Sequence, residues 1–213
     1  MDVKTKSASK NQLRRFPIYL SYLRERQAEG LEYISSPQIA LSLNLSEEQV
    51  RKDLNLVSSR SGKPKVGRDI KLLIFDIEEF LGYRDSRKAV LVGAGHLGRA
   101  LMAHEGFVSY GLDIVCAFDN DIYKTDCIFN GKNIYSISQL EKICHKLNVH
   151  IGIITVPQKY AQEVCDRLIA VGIRGIWNFT SAVLEVPDNV IVQNENMASS
   201  LAILSNKLKE ILY

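Results

Sequence analysis

Residues Gly93-Ala94-Gly95-His96-Leu97-Gly98 follow the strand-like run Ala89–Val92 and open a helical run, Leu97–His104. This is G-x-G-x-x-G where a dinucleotide needs it. The first glycine makes the tight turn, the second admits the pyrophosphate, and the third lets helix pack on strand. The helix N-terminus then faces the phosphates. A second strand, Leu112–Phe118, ends in Asp119, 21 residues beyond Gly98, where a carboxylate receives ribose hydroxyls. A carboxylate there favours NAD over NADP, because a 2′-phosphate would meet like charge. Thr155-Val156-Pro157 closes a later strand and either borders the nicotinamide half or is only a structural turn. The expected cofactor is NAD, as NADH or NAD+, on Gly93, Ala94, Gly95, His96, Leu97, Gly98, Asp119, Thr155 and Pro157.

Groups that could do chemistry on a bound substrate are missing from the pattern. Hydride transfer to a carbonyl needs a proton donor and a pocket walled by another domain. The sequence holds no Y-x-x-x-K pair, and His96, His104, His145 and His150 are scattered and read as surface or turn residues. Cys116, Cys127, Cys144 and Cys165 lack C-x-x-C spacing and read as reduced and structural. No metal cluster or nucleophile–base arrangement is visible, so no catalytic and no metal residues are expected. A dinucleotide site without a substrate domain points to a sensor.

The elements that must hold this site continue the alternation of strand and helix. Helix Ser138–Leu147, strand His150–Thr155, helix Tyr160–Val171 and strands Gly175–Phe179 and Val190–Val192 predict a parallel sheet with crossover helices. A terminal helix over 197–212 carries Met197, Leu201, Leu204, Leu208 and Ile211 on one stripe. That stripe either packs on its own domain or builds a dimer.

Charge divides the chain. Residues 1–85 carry 15 basic and 12 acidic residues, a net of +3, whereas 86–213 carry 12 of each. Residues 51–71 hold seven basic residues against Asp53 and Asp69, the footprint of a polyanion partner or a solvated face. Arg15–Arg26 reads as a first helix with Pro17 near its start and Phe16, Leu20 and Leu23 as its buried stripe. Ser36 is expected to cap a second helix, with Pro37 at its first position, running Gln38–Leu43. Asn44-Leu45 turns the chain, and Ser46-Glu47-Glu48-Gln49 reads as a capping box on a third helix. With Val50, Leu54 and Val57 inward, Arg51, Lys52 and Asn55 face out to reach a major groove. Ser61–Arg68 reads as a basic hairpin, a wing, and 71–81 as a closing helix. The expected DNA contacts are Ser36, Gln49, Arg51, Lys52, Asn55, Lys63, Lys65 and Arg68.

The expected fold class is α/β. A winged helix-turn-helix (1–85) precedes a Rossmann-like parallel-sheet domain (86–213) with a C-terminal dimerisation helix. An apolar content of 46% with 24% charged residues is ordinary for a globular chain, and no run is long enough to span a bilayer. No secretory or lipidation signal is visible, so a cytoplasmic, non-membrane protein is expected.

From about Leu13 to the C-terminus the sequence resembles the redox-sensing transcriptional repressor family Rex. The most specific parts are Gln49-Val50-Arg51-Lys52-Asp53-Leu54, Val92 to Gly98, Ala117-Phe118-Asp119, Thr155-Val156-Pro157 and Gly175-Ile176-Trp177-Asn178-Phe179. The resemblance implies homodimers whose winged-helix domains read a palindromic double-stranded operator and whose Rossmann domains bind NADH or NAD+. It also implies C-terminal helices exchanged between protomers, and an NADH-favoured closed form that leaves DNA. In the family one aspartate alternates between a tyrosine near the cofactor and an arginine of the first helix. The matching positions here are Asn196, His104 and Ser21, with Met197 beside the first, and Leu56 to Gly62 replace a glycine-rich aromatic stretch. The expectation is a repressor that senses the NADH/NAD+ ratio weakly or through altered contacts. A repressor with a structural, non-switching NAD site is the alternative. A small NAD-dependent oxidoreductase and a non-DNA scaffold are the other readings.

Overall fold

The computed structural model describes residues 8–63, 66–85 and 87–212. Two compact units divide after Arg84. The first holds α1 (Lys10–Ala28), β1 (Tyr33–Ile34), α2 (Ser36–Leu43), α3 (Glu47–Val57), β2 (Arg68–Asp69) and α4 (Ile70–Leu81). Its core gathers Phe16, Tyr19, Leu20 and Leu23 of α1 with Ile39, Val50, Leu54, Ile70 and Ile77. Each such side chain contributes about 1.5–3 kcal/mol through burial. Val57 is only half-buried at the edge of this core. Asn44 takes the left-handed conformation that turns α2 into α3 (φ 52°, ψ 48°). In the wing, Lys63 and Gly67 form an antiparallel bridge, and β2 pairs with β1.

Two helix starts differ from expectation, and a third forms its cap only in part. α1 begins well before Pro17, at a capping box in which Gln12 N–H donates to Ser9 Oγ (3.3 Å) and Ser9 N–H to Gln12 Oε1 (3.0 Å). The cap upstream set the start, and the proline sits inside the helix, unable to donate back to Leu13. α2 is capped by Ser35, not Ser36, again through a reciprocal box with Gln38. At α3 only half the expected box forms: Gln49 N–H donates to Ser46 Oγ (3.2 Å), while the Gln49 side chain turns elsewhere.

The second unit runs β3 (Arg87–Val92), α5 (His96–Ala103), β4 (Leu112–Asp119), β5 (Cys127–Phe129), β6 (Lys132–Ser136), α6 (Leu140–Leu147), β7 (Ile151–Ile154), α7 (Ala161–Ala170), β8 (Gly175–Asn178), β9 (Ile191–Asn194) and α8 (Met197–Leu212). The sheet order is β5-β6-β4-β3-β7-β8-β9, parallel except for the β5–β6 hairpin. β3 is buried on both faces, with Val90 and Val92 packing against α6 and α7 and Ala89 and Leu91 joining Met102 of α5. Such a strand reads as a continuous apolar run. β4 and β7 flank β3, so the crevice where the strand order reverses opens at its carboxyl end.

The expected helix 138–147 forms as α6, but the hairpin β5–β6, turning at Asn130-Gly131, is an unexpected addition between β4 and it. Asn-Gly between short apolar runs was a readable signal for it. α8 buries none of its residues, so the expectation that its stripe packs on its own domain does not hold.

Candidate nucleotide cleft and DNA-facing surface

The crevice is a cleft of about 430 Å3 lined by Val92, Gly93, Gly95, Asp119, Asn120, Lys124, Ile137, Thr155, Val156, Pro157, Tyr160, Glu163, Val164 and Arg167. Gly93 has φ 106°, and a Cβ there would stand 2.8 Å from the Thr155 carbonyl carbon. A Cβ on Gly98 would collide with the Gly93 carbonyl oxygen. Both glycines are therefore needed by the fold. Gly95 differs, since a Cβ there meets nothing within 4 Å and would project into open space beside the cleft. No side chain among the described residues caps α5, which leaves its first amides as donors for an anion.

Asp119 is 6% exposed at the end of β4. Its Oδ2 accepts from Ala94 N–H (2.7 Å) and its Oδ1 from Asp121 N–H (2.9 Å). Each oxygen retains a lone pair, so the carboxylate braces the glycine loop and can still receive hydroxyls. Lys124 pairs with Asp121 at 3.0 Å, and that bond, then the charge of Asp119, raises its pKa. The single Thr155 hydroxyl proton is shared between Gly93 O (2.8 Å) and Val92 O (3.1 Å), and Arg99 Nε donates to Ala94 O (3.2 Å). Thr155 and Arg99 therefore shape the loop. The cradle, the open helix end and the carboxylate fit a dinucleotide's pyrophosphate and ribose.

On the first unit, α3 turns Arg51, Lys52 and Asn55 outward. Arg51 makes no hydrogen bond or ion pair among the described residues, while Lys52 pairs with Glu48 at 2.7 Å. Asp53, one position further, is 1% exposed. It accepts from Arg15 Nε (2.7 Å) and Nη2 (2.9 Å), Tyr19 Oη (2.8 Å) and Gln12 Nε2 (3.1 Å). Burial acts to raise its pKa, but the Arg15, Tyr19 and Gln12 bonds outweigh it and hold the carboxyl below its ordinary value. With its amide oxygen turned inward, Gln49 accepts from Arg15 Nη1 at 2.8 Å.

A family model described as a putative DNA-binding protein N-terminus matches residues 8–55, and one described as a CoA binding domain matches 84–182. The redox-sensing transcriptional repressor Rex of Treponema denticola is 44% identical over 192 residues, 90% of this chain and 91% of the relative. That of Bacteroides fragilis is 39% identical over 92% of this chain and 89% of its own length.

The chain belongs to the Rex family.

Among solved structures, the Rex-family repressor RSP in complex with β-NAD+ and operator DNA matches with a TM-score of 0.90 at 29% identity, covering 96% of this chain and 94% of that one. RSP with β-NADH matches at 0.84 and 28%, covering 95% of each.

Within this Rex fold, five of the expected cofactor residues line the cleft: Gly93, Gly95, Asp119, Thr155 and Pro157. Ala94 and Gly98 are buried behind it, and His96 and Leu97 are exposed at the start of α5. Lys124, Tyr160, Glu163 and Arg167 also line it and were missed, being brought in by α7 and the loop after β4. Of the expected DNA residues, Arg51, Lys52, Asn55 and Lys63 are exposed, and Gln49, Ser36 and Arg68 are half-buried. Lys65 lies outside the described residues. Asn55 is not free, because its Oδ1 accepts from Arg68 Nη2 at 2.5 Å.

At the family's switch positions, Ser21 is exposed on α1 and His104 is exposed with its ring edge-on to Phe107 at 4.6 Å. Asn196 starts α8, its Oδ1 accepting from Ser199 N–H at 3.1 Å. All four cysteines are free. Burial pushes Cys116 up to about 12 and Cys144 and Cys165 up to about 11, which keeps them as inert thiols.

Proposed function

We propose that this Rex-family chain is a cytoplasmic transcriptional repressor that binds a palindromic DNA operator as a homodimer and NAD(H) in the cleft, and does no chemistry itself. The observation that carries this reading is the pairing, in one chain, of an open Gly95 cradle braced by Asp119 with an outward basic face on α3. Gly95 and the free amides of α5 would hold the pyrophosphate, and Asp119 the ribose. The bound nicotinamide supplies the redox-sensitive group. The chain's own residues only bind and orient it. Arg51 is the side chain best placed for a base edge, with Lys52 beside it. The exposed stripe of α8, from Met197 (66% exposed) to Ile211 (80%), calls for cover by a second copy, consistent with exchanged helices.

A second reading, a repressor whose NAD site holds the fold without switching, is favoured by one feature. Ser21 and Asn196 are uncharged, so no ion pair can form between these two positions, and Asn196 is engaged as a helix cap. A ligand with equal affinity for two states shifts neither. Gel shifts on a palindromic fragment without ligand, with NAD+ and with NADH test both. Release by NADH alone supports sensing, and equal affinity in all three supports the structural role. Indifference to DNA with turnover of cofactor rejects both.

A further inference from the structure

We propose that the small pocket at the root of the wing seats one phosphodiester oxyanion of the DNA backbone, gripped by Arg68 with Arg60, Lys63 and the Ser58 hydroxyl. This rests on the DNA-binding reading above and adds a site that α3 does not supply. The pocket, about 110 Å3, lies between the loop after α3, the wing and α4. Four observations converge on it. Arg68 is half-buried, yet its η nitrogens donate only to neutral acceptors, the Arg60 carbonyl (3.0 Å) and Asn55 Oδ1 (2.5 Å). No carboxylate lies within ion-pair distance of it among the described residues. Burial lowers its pKa, and the charge of Asp76 only partly offsets that. Second, the Ser58 hydroxyl is buried and has no hydrogen-bond partner among the described residues. A buried unsatisfied hydroxyl costs free energy unless a ligand or water meets it.

Third, the other two cations in the lining, Arg60 and Lys63, also lack ion pairs among the described residues. The Lys63 ammonium lies over the Tyr33 ring at 5.7 Å. Fourth, the two carboxylates in the lining are engaged. Asp76 accepts from Ser59 N–H (2.7 Å) and Oγ–H (2.9 Å), and Asp69 caps α4 by accepting from Leu72 N–H (2.9 Å). With three cations, Arg60, Lys63 and Arg68, against two carboxylates that each already accept from the protein, the pocket is net positive and rich in donors. A phosphate oxygen, which only accepts, fits that set, whereas most base edges mix donors and acceptors. The Asn55–Arg68 bond ties the seat to the recognition helix, so both address the same nucleic-acid surface.

Operator fragments selected from random sequence by the full chain, each with one neutral methylphosphonate, provide the test. They are titrated with wild type, Arg68→Gln and Ser58→Ala. One backbone position per half-site is expected to cost wild type about tenfold when neutralised and Arg68→Gln nothing further. The log–log salt slope of Arg68→Gln should fall by about 1 for each seat lost. If wild type binds its operator but no position couples to either variant, the seat is overturned while DNA binding stands. If wild type selects no DNA, both readings fall. Inorganic phosphate provides the second arm: if it raises the Tm of wild type and not of Arg68→Gln, while no methylphosphonate couples, the pocket takes free anion and the backbone assignment is wrong. Should Arg68→Gln melt at assay temperature, Ser58→Ala carries the coupling test, because neutralising the seated position should then cost it less than it costs wild type.

Discussion

Asp53 of the first unit and Asp119 of the second are both buried, and the two have opposite fates. Asp53 is surrounded by side chains of its own unit: Arg15 bidentate, Tyr19 and Gln12. Asp119 is held by two backbone amides and opens on the cleft. The first carboxylate is spent on joining α1 to α3, so the recognition helix is presented at a fixed angle. The second is braced, with lone pairs left over. Burial alone therefore does not distinguish a structural acid from a binding one. What distinguishes them is whether the fold uses up the acceptor capacity or leaves part of it facing a cavity.

That contrast can be broken most forcefully at Asp53. Asp53→Ala leaves the Arg15 guanidinium without its partner and should cost about 3–5 kcal/mol of stability, read by chemical denaturation of the whole chain. A change below 1 kcal/mol would show that the network is dispensable. The same site sets an acid limb. Because the folded pKa of Asp53 is depressed, its stabilisation is fully present above the unfolded value, about 3.9, and drains away as pH falls through the folded one. Asp53→Asn should flatten the loss of stability below about pH 4.

Next in size, the glycines sharpen the comparison within the cleft. Gly98→Ala, forced against the Gly93 carbonyl, should destabilise by about 1–3 kcal/mol. Gly95→Val should leave the Tm nearly unchanged and abolish NADH binding, followed by nicotinamide fluorescence. The reverse pattern would place the cradle elsewhere. At Asp119, Asp119→Ala should weaken NADH by about 1.5–3 kcal/mol, the worth of hydrogen bonds to a charged group. Its effect on stability should stay smaller than that of Asp53→Ala. On the first unit, Arg51→Ala should cost about 1–3 kcal/mol in operator affinity and relax one base position, while Lys52→Ala, the smallest effect, mainly flattens the salt slope. Equal loss on all sequences for Arg51→Ala would reassign that side chain to the backbone.

Much of this was readable from local pattern. The βαβ unit from Ala89 to Asp119 follows from an apolar run, three glycines and a terminal acid, all within 31 residues. The helix-turn-helix follows from Phe16, Leu20 and Leu23, the Asn44 corner and the serine before α3. Less legible were the ends. Pro17 suggested a helix start that Ser9 and Gln12 set earlier, and adjacent serines exchanged the cap of α2. The β5–β6 hairpin was missed although Asn130-Gly131 announced it. Asp53 shares the apolar stripe of Val50 and Leu54, a signal for a buried paired acid that charge counting passed over.

By itself, the sequence determined the order of elements and the glycine cradle, because periodicity, caps and turn residues act over a few positions. Tertiary structure decided which side chains remain available. Arg15 reaches Asp53 across 38 positions, Thr155 reaches Gly93 across 62, and Arg68 takes the oxygen of Asn55 across 13. That α8 buries no residue in its own unit likewise shows only in space. The reason is valence: each donor and acceptor makes few bonds, and only the packed arrangement shows which neighbours have already used them.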